Sequence, residues 1–139
     1  MKNTRGFAMS RHTAIAPALT DLLFNRELSV EEAVDRHFSP EYRQRTDGAW
    51  ANRAEFAAHI AHLRELIAEG EVEVHDELAD GDRYADRHTV RVVKKDGSVV
   101  RTEVYVFARL AADGRFLTIE ETTLMLEGSE ADRDLGSAR

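Results

Sequence analysis

The 139-residue chain contains no cysteine. Disulfides, thiolate nucleophiles and zinc–thiolate centres are therefore excluded. The chain also lacks an apolar run long enough to cross a membrane, and its first residues lack the apolar core of a signal peptide. These absences predict a cytoplasmic protein with no membrane partner.

An excess of positive charge is missing as well. The formal net charge is −7, and basic clusters such as Arg43 with Arg45 are small. Nucleic-acid binding needs a concentrated basic face that neutralises phosphates, so no nucleic-acid partner is predicted. His59 and His62 have no evident third ligand on an inward face, so no metal site is predicted either.

What the chain does have is a series of strand-like segments in its second half. Consecutive segments are joined by turns that contain Asp-Gly or Gly-Asp, residues that supply the positive φ favoured by hairpins. The predicted strands are Glu71–Leu78, Arg83–Lys94, Ser98–Leu110 and Arg115–Leu126.

The first half has helical spacing and helix caps. Ser29 with Glu32, and Asn52 with Glu55, form the capping boxes that begin helices. The predicted elements are helices over Thr13–Asn25, Val30–Phe38 and 53–69, the last stopped by Gly70, and a short strand over Tyr42–Thr46. The longest helix carries an apolar stripe that should cross the sheet: Phe56, Ile60, Leu63 and Ile67.

Helices followed by a strand meander predict an α+β fold, in which the helices pack on one face of a curved, mainly antiparallel sheet. The predicted organisation is a flexible lead-in over residues 1–12, one domain over 13–128 and a polar tail over 129–139, in which Leu135 is the only apolar anchor. A curled sheet closed by helices leaves a pocket, and a function should be sought there.

Three short segments occur in a recognisable order: FSPEYRQR at 38–45, GDRYADRHT at 81–89, and VFAR at 106–109 followed by DGRF at 113–116. Together they resemble the nuclear transport factor 2-like superfamily, in particular its SnoaL-like and ketosteroid isomerase-like members, over Ala14–Gly128. The resemblance implies a cystatin-like cone whose pocket is lined by the long helix, the first strand and the concave face of the sheet. The superfamily contains isomerases, cyclases, hydrolases, dehydratases and non-catalytic binders, so the fold alone does not assign a function.

Two histidines are candidates for proton transfer, since an imidazole titrates near neutrality. His59 lies on the flank of the apolar stripe and can reach the pocket; the alternative is a helix-edge histidine with a backbone or water partner. Asp86 and His88 lie two residues apart on one face of a strand and could orient one another. If that face is the solvent or dimer side, they instead form a cross-strand polar ladder.

Glu120 and Glu121 are adjacent and therefore point to opposite sides of the last strand. A carboxyl group in an apolar pocket has a raised pKa, which suits it to proton transfer. The resemblance implies an acid on a late strand, and Glu121 is its closer match. The alternative for either residue is an ion pair on the sheet surface with Arg87, Arg101 or Arg109.

Ketosteroid isomerases carry their base aspartate on the first strand, and the matching position here is Arg45. Arginine stays protonated and cannot be a general base, so the steroid isomerase mechanism is not supported. An inward Arg45 would favour an anionic or carbonyl-bearing ligand. The ligand-pocket set is Tyr42, Gln44, Arg45, Trp50, Asp86 and Tyr105; Tyr42 and Trp50 could equally be rim packing.

The sequence thus leaves two hypotheses open. The first is a pocket protein for an apolar, polyketide-like or steroid-like ligand, with cofactor-free acid–base activity from His59, His88 and Glu121 or Glu120. The second is a non-catalytic ligand-binding or dimerisation domain. A homodimer through the outer face of the sheet is expected in either case, because neither face of the predicted strand 99–110 is fully polar.

Overall fold

The structure is a computed structural model that describes residues 14–133. The predicted lead-in over 1–12 and the end of the tail, including Leu135, lie outside the described residues. The helices are α1 (Ile15–Leu19), which continues as one π-helical stretch (Thr20–Phe24), α2 (Val30–His37) and α3 (Arg53–Leu66). The strands are β1 (Phe38–Thr46), β2 (Ala49–Asn52), β3 (Ile67–Asp80), β4 (Arg83–Lys94), β5 (Val99–Leu110) and β6 (Phe116–Glu127).

The three helices pack against a six-stranded sheet with the strand order β2-β1-β6-β5-β4-β3. All neighbouring strands are antiparallel except β1 and β6, which are parallel. The α+β cone predicted from the order of elements is confirmed. The inner face of the sheet buries the predicted stripe Phe56, Ile60, Leu63 and Ile67.

Both predicted capping boxes are present. The Ser29 hydroxyl accepts from the Glu32 backbone N–H at 3.0 Å, and the Glu32 carboxylate accepts from the Ser29 N–H at 2.8 Å. Asn52 and Glu55 make the same exchange at the start of α3, at 2.9 Å in both directions. The caps satisfy N–H groups that have no partner within the helix, and so they fix where α2 and α3 begin.

The predicted end of the long helix is wrong. α3 ends at Leu66, and Ile67 already has the extended backbone of β3. Gly70 lies within that strand, where a Cβ atom would come 2.5 Å from the Arg91 carbonyl oxygen and 2.5 Å from the Phe24 ring. Glycine is therefore required here by close packing of β3 on its neighbours, not by a helix stop.

Two further differences concern the strands. β1 begins at Phe38, earlier than the predicted Tyr42, and an unpredicted strand β2 folds back on it. Leu110 of β5 pairs with Phe116 of β6, but the preceding Arg109 pairs with Thr118, so β6 contains one extra residue at this point. This bulge turns Phe116 into the core, where it is fully buried, although simple alternation places it on the face of Glu120.

Arg64 ties α3 to the segment between α1 and α2. Its guanidinium donates from Nε to the Leu22 carbonyl at 2.6 Å, from Nη1 to the Leu28 carbonyl at 2.6 Å and from Nη2 to the Asp21 carbonyl at 2.9 Å. These carbonyls belong to the π-helical stretch and the loop that follows it. One side chain thus satisfies three acceptors of an irregular segment that lies against the cavity.

The start of α1 is tied to the inner face of β4. The Ile15 backbone N–H donates to the Tyr84 hydroxyl at 3.1 Å, and that hydroxyl donates to the Glu77 carboxylate. Tyr84 is almost completely buried. The contact keeps α1 across the concave face of the sheet.

Gly70→Ala should lower the free energy of unfolding by about 1–3 kcal/mol, because the added methyl group has no room beside Arg91 and Phe24. Chemical denaturation of the variant measures this. Glu69→Ala changes an exposed side chain in the same strand and serves as the matched control, with an expected change below about 0.5 kcal/mol. Unchanged stability of Gly70→Ala would show that the strands are not packed this closely.

Candidate functional site

The helices and the concave face of the sheet enclose a cavity of about 120 Å³. Its walls are mostly apolar and include Leu19, Leu23, Phe56, Ile60, Val92 and Val104. The polar groups that line it come from β1, α3, β4, β5 and β6, and they are Tyr42, Gln44, His59, His88, Thr102, Glu121 and Thr123. An apolar chamber with a few converging polar groups is the usual form of a small-molecule site.

Asp86 and His88 lie on the inner face of β4, not on the solvent side. His88 Nδ1 lies 2.5 Å from Asp86 Oδ1, and the two side chains are 2% and 0% exposed. The second carboxylate oxygen, Asp86 Oδ2, is buried and has no hydrogen-bond partner among the described residues. A carboxylate at Asp86 accepts from Nδ1–H, which leaves Nε2 as the ring nitrogen of His88 that can contact a ligand.

Glu121 ends a chain of hydrogen bonds that begins at Tyr42. The Tyr42 hydroxyl donates to Gln44 Oε1 at 2.7 Å, and Gln44 Nε2 donates to Thr46 Oγ1 at 2.9 Å. Thr46 Oγ1 then donates to Glu121 Oε2 at 2.8 Å. Alternation along β1 turns Tyr42, Gln44 and Thr46 inward, and the parallel register sets Thr46 beside Glu121.

Burial determines the direction of the pKa shifts of Glu121 and Tyr42. Removal from water raises the pKa of the Glu121 carboxyl, and the negative charges of Asp47 and Asp86 act in the same direction; the Thr46 hydrogen bond and His88 oppose them. Burial, together with the charge of Glu121, also raises the pKa of the Tyr42 phenol well above its ordinary value. Tyr42 therefore stays protonated and acts only as a neutral hydroxyl.

His59 approaches the same cavity from α3 and is buried. The structure thus brings together His59, His88 and Glu121 from the predicted catalytic set, and Tyr42 and Gln44 from the predicted ligand-pocket set. Asp86 lies directly behind His88. Thr46 was not predicted as a site residue, although it shares the inward alternation of Tyr42 and Gln44.

Asp86 does not itself line the cavity, and four other predicted site residues lie outside it on the outer face of the sheet. Glu120 is exposed on the outer face, and its carboxylate lies 3.6 Å from the Arg45 guanidinium. Trp50 is 44% exposed, with the Arg43 guanidinium 4.3 Å from its ring centroid, and Tyr105 is 48% exposed. The prediction that Arg45, Trp50, Tyr105 and Glu120 face the pocket is corrected, because strand alternation turns each of them outward.

Within residues 14–133, no group of three histidine or acidic side chains is arranged to hold a metal ion. No helix in the same range is long and apolar enough to cross a membrane.

Tyr42→Phe should lower the free energy of unfolding by about 1–3 kcal/mol, because it leaves the buried Gln44 Oε1 without its donor. Tyr105→Phe removes the same atom from an exposed ring and is the matched control, with an expected change below about 0.5 kcal/mol. Urea denaturation measures both. Equal effects of the two substitutions would contradict a buried hydrogen-bond chain at Tyr42.

Comparison with known proteins agrees with this architecture. The profile of the SnoaL-like domain matches residues 21–119. An uncharacterised protein of Schizosaccharomyces pombe is 32% identical over 108 residues, which cover 78% of this chain and 82% of the relative.

Solved structures show the same fold at low sequence identity. A nuclear transport factor 2-like protein of unknown function from Burkholderia pseudomallei superposes with a TM-score of 0.60 at 18% identity, over 99% of this chain and 100% of the other. A proposed SnoaL-like polyketide cyclase from a Jannaschia species gives a TM-score of 0.52 at 17% identity, over 81% and 89% of the two chains. The chain belongs to the SnoaL-like domain family and has the fold of nuclear transport factor 2-like proteins.

Proposed function

We propose that this protein binds an apolar, carbonyl-bearing small molecule in the cone cavity and transfers protons on it without a cofactor. The observation that carries the proposal is the convergence of His88, backed by Asp86, with Glu121 on one apolar chamber. Buried ionisable groups are costly, so their presence around a cavity favours a chemical role.

The walls of the cavity favour an apolar ligand. Leucine, isoleucine, valine and phenylalanine side chains form most of the lining, so binding would be driven by removal of apolar ligand surface from water. The polar groups are few, and five of the seven come from β1, β4 and β6: Tyr42, Gln44, His88, Glu121 and Thr123. A ligand with an apolar body and a single oxygen-bearing end matches this division, and a cavity of about 120 Å³ fits a small or slender ketone rather than a whole steroid.

The proposed reaction is proton transfer at a carbon next to a carbonyl group. Ionised Glu121 takes the proton from that carbon, the C–H electron pair forms a C=C bond, and the carbonyl π pair moves to oxygen. Protonated His88 donates from Nε2 to that oxygen, while Asp86 stabilises the imidazolium. Where a C=C bond is conjugated to the enolate, return of the proton from Glu121 to its far carbon re-forms the carbonyl and gives an isomer. Attack of the enolate carbon on a second carbonyl, whose oxygen takes the proton from Glu121, gives a cyclised product.

Deuterium exchange tests this proposal without knowledge of the natural substrate. In D₂O, the protein should accelerate loss of the α-proton NMR signals of apolar methyl ketones such as 2-nonanone. Glu121→Gln and His88→Gln should each reduce the acceleration by about 100-fold or more, since each removes a proton-transfer group.

The matched control is Glu120→Gln, which changes the adjacent carboxylate on the outer face and should keep full activity. Ketone binding is followed in parallel by ligand-observed NMR. Binding with no exchange above the buffer rate would favour the non-catalytic binding domain. Equal losses in Glu120→Gln and Glu121→Gln would contradict the assignment of Glu121.

We also propose that the outer face of the sheet pairs two copies of the chain. One row crosses all six strands through Leu78, Ala85, Phe107, Glu120, Arg45 and Trp50. Leu78 and Phe107 are 72% and 73% exposed, and Tyr105 and Leu124 extend the apolar area on neighbouring rows. Burial of a phenylalanine is worth about 1.5–3 kcal/mol, so a self-complementary contact over this face would be favourable.

Phe107→Glu should convert the dimer to a monomer, because it puts a second carboxylate beside Glu120 in the middle of the contact. Light scattering at micromolar concentration measures the mass. Glu65→Lys, on the exposed side of α3, is the control and should stay dimeric. A wild-type protein that is monomeric under these conditions would overturn the dimer proposal.

A further inference from the structure

The hydrogen bonds between Tyr42 and Glu121 all run in one direction. Tyr42 donates to Gln44, Gln44 to Thr46 and Thr46 to Glu121, with donor–acceptor distances of 2.7, 2.9 and 2.8 Å. We name Tyr42, Gln44, Thr46 and Glu121 the relay. Its direction fits an ionised Glu121, because a carboxylate only accepts hydrogen bonds.

We propose that the relay reverses when Glu121 takes up a proton, and that the reversal changes the hydrogen bond that Tyr42 offers to a bound ligand. With Glu121 ionised, the Tyr42 O–H donates to Gln44. Tyr42 can then offer a ligand only the lone pairs of its oxygen. With Glu121 protonated, the Tyr42 O–H is free to donate to a ligand carbonyl. Gln44 and Thr46 are then positioning residues that connect the acid to the phenol.

The chemistry of each member permits the reversal without movement of the backbone. A protonated Glu121 needs an acceptor for its O–H, and Thr46 Oγ1 lies within reach. Thr46 then donates to Gln44, whose amide exchanges its oxygen and nitrogen by a half-turn of the terminal group. The Gln44 nitrogen next donates to the Tyr42 oxygen. The distances suit O–H and N–H donors in either direction.

Other charged and titratable groups face Glu121. Asp86 and His88 approach from β4, Asp47 from the β1–β2 turn and His59 from α3, while Tyr42 stays neutral. Asp47 itself is held by the Thr123 N–H at 2.9 Å and the Thr123 hydroxyl at 2.5 Å. Because several ionisable side chains lie near the relay, a test has to assign the response to Glu121 itself.

The consequence for the ligand rests on the proposed function. Low pH, at which Glu121 is protonated, favours a ligand that accepts a hydrogen bond, such as a ketone. High pH favours a ligand that donates one, such as an alcohol or enol. The site therefore discriminates between a ketone and its reduced or enolised form according to the charge of Glu121.

NMR tests the reversal without any ligand. Glu121 is followed through its side-chain ¹³C carboxyl signal and Gln44 through its side-chain NH₂ signals, assigned by their loss in Gln44→Met. In the wild-type protein, the Gln44 signals should shift with pH at the midpoint of the Glu121 titration. In Thr46→Val, Glu121 should still titrate while the Gln44 signals stay fixed; Thr46→Ser keeps the hydroxyl and should keep the coupling.

Glu121→Gln gives an independent test that does not need a change at Thr46. It should abolish the pH response of Gln44, whereas Glu120→Gln should leave that response intact. A Gln44 response that persists in Glu121→Gln would assign it to His88 or Asp86 and overturn the relay. A Gln44 response that persists in folded Thr46→Val would show that the coupling acts through space and would also overturn it.

Affinities for 2-nonanone and 2-nonanol test the ligand consequence. Their ratio should shift toward the ketone by several-fold as pH falls through the Glu121 midpoint, and Tyr42→Phe should remove this dependence. A ratio that stays constant while the Gln44 signals reverse overturns the ligand consequence alone. A cavity that binds neither probe overturns the proposed function and the ligand consequence with it, while the ligand-free NMR result still decides the reversal.

Discussion

The parallel pairing of β1 with β6 is the contact on which the site depends. It sets Gln44 beside Ile119 and Thr46 beside Glu121. The pairing thus joins the first strand along the chain to the last. Without it, Glu121 would have no Thr46 donor, and Tyr42 would not be connected to a carboxylate. The β5–β6 register then sets Val106 between Glu121 and Asp86, so acids from two strands approach one chamber across a single apolar residue.

The same arrangement destabilises the folded state. Asp86 and Glu121 both lose hydration, and Asp86 Oδ2 has no partner within the described part of the chain. The protein offsets this with charge-assisted contacts to His88 and Thr46 and with the apolar packing of Phe38, Tyr42 and Phe56, whose ring centroids lie 4.7–5.0 Å apart. A fold selected for stability alone would place neutral side chains at these positions.

Much of the fold could be predicted from local signals in the sequence. The capping boxes at Ser29 and Asn52 mark the helix starts, and Asp-Gly turns mark the long hairpins. The errors occur where long-range packing overrides local preference. Gly70 looks like a helix stop but is required by Phe24 and Arg91, and the bulge in β6 shifts Phe116 inward without a signal that alternation alone could give.

The candidate site was harder to predict from the sequence than the fold, because the direction of its side chains depends on long-range strand pairing. Alternation shows that Glu120 and Glu121 face opposite sides, but only the register with β1 shows which side contains the cavity. The outward direction of Arg45 and the inward direction of Gln44 and Thr46 depend on the same pairing. The Asp86–His88 contact was predictable as a geometry, whereas its place inside the cone depends on how α1 and α3 cover the sheet.

A crystal structure of the protein with an apolar methyl ketone bound would test most directly whether the cone cavity is the site of proton transfer. The alkyl chain should lie among the apolar walls, with the carbonyl oxygen within hydrogen-bond distance of His88 Nε2 or Tyr42 Oη and the adjacent carbon facing Glu121. A ketone bound only on the outer face of the sheet, or bound in the cavity with its oxygen turned away from His88, Tyr42 and Glu121, would contradict this role of the cavity.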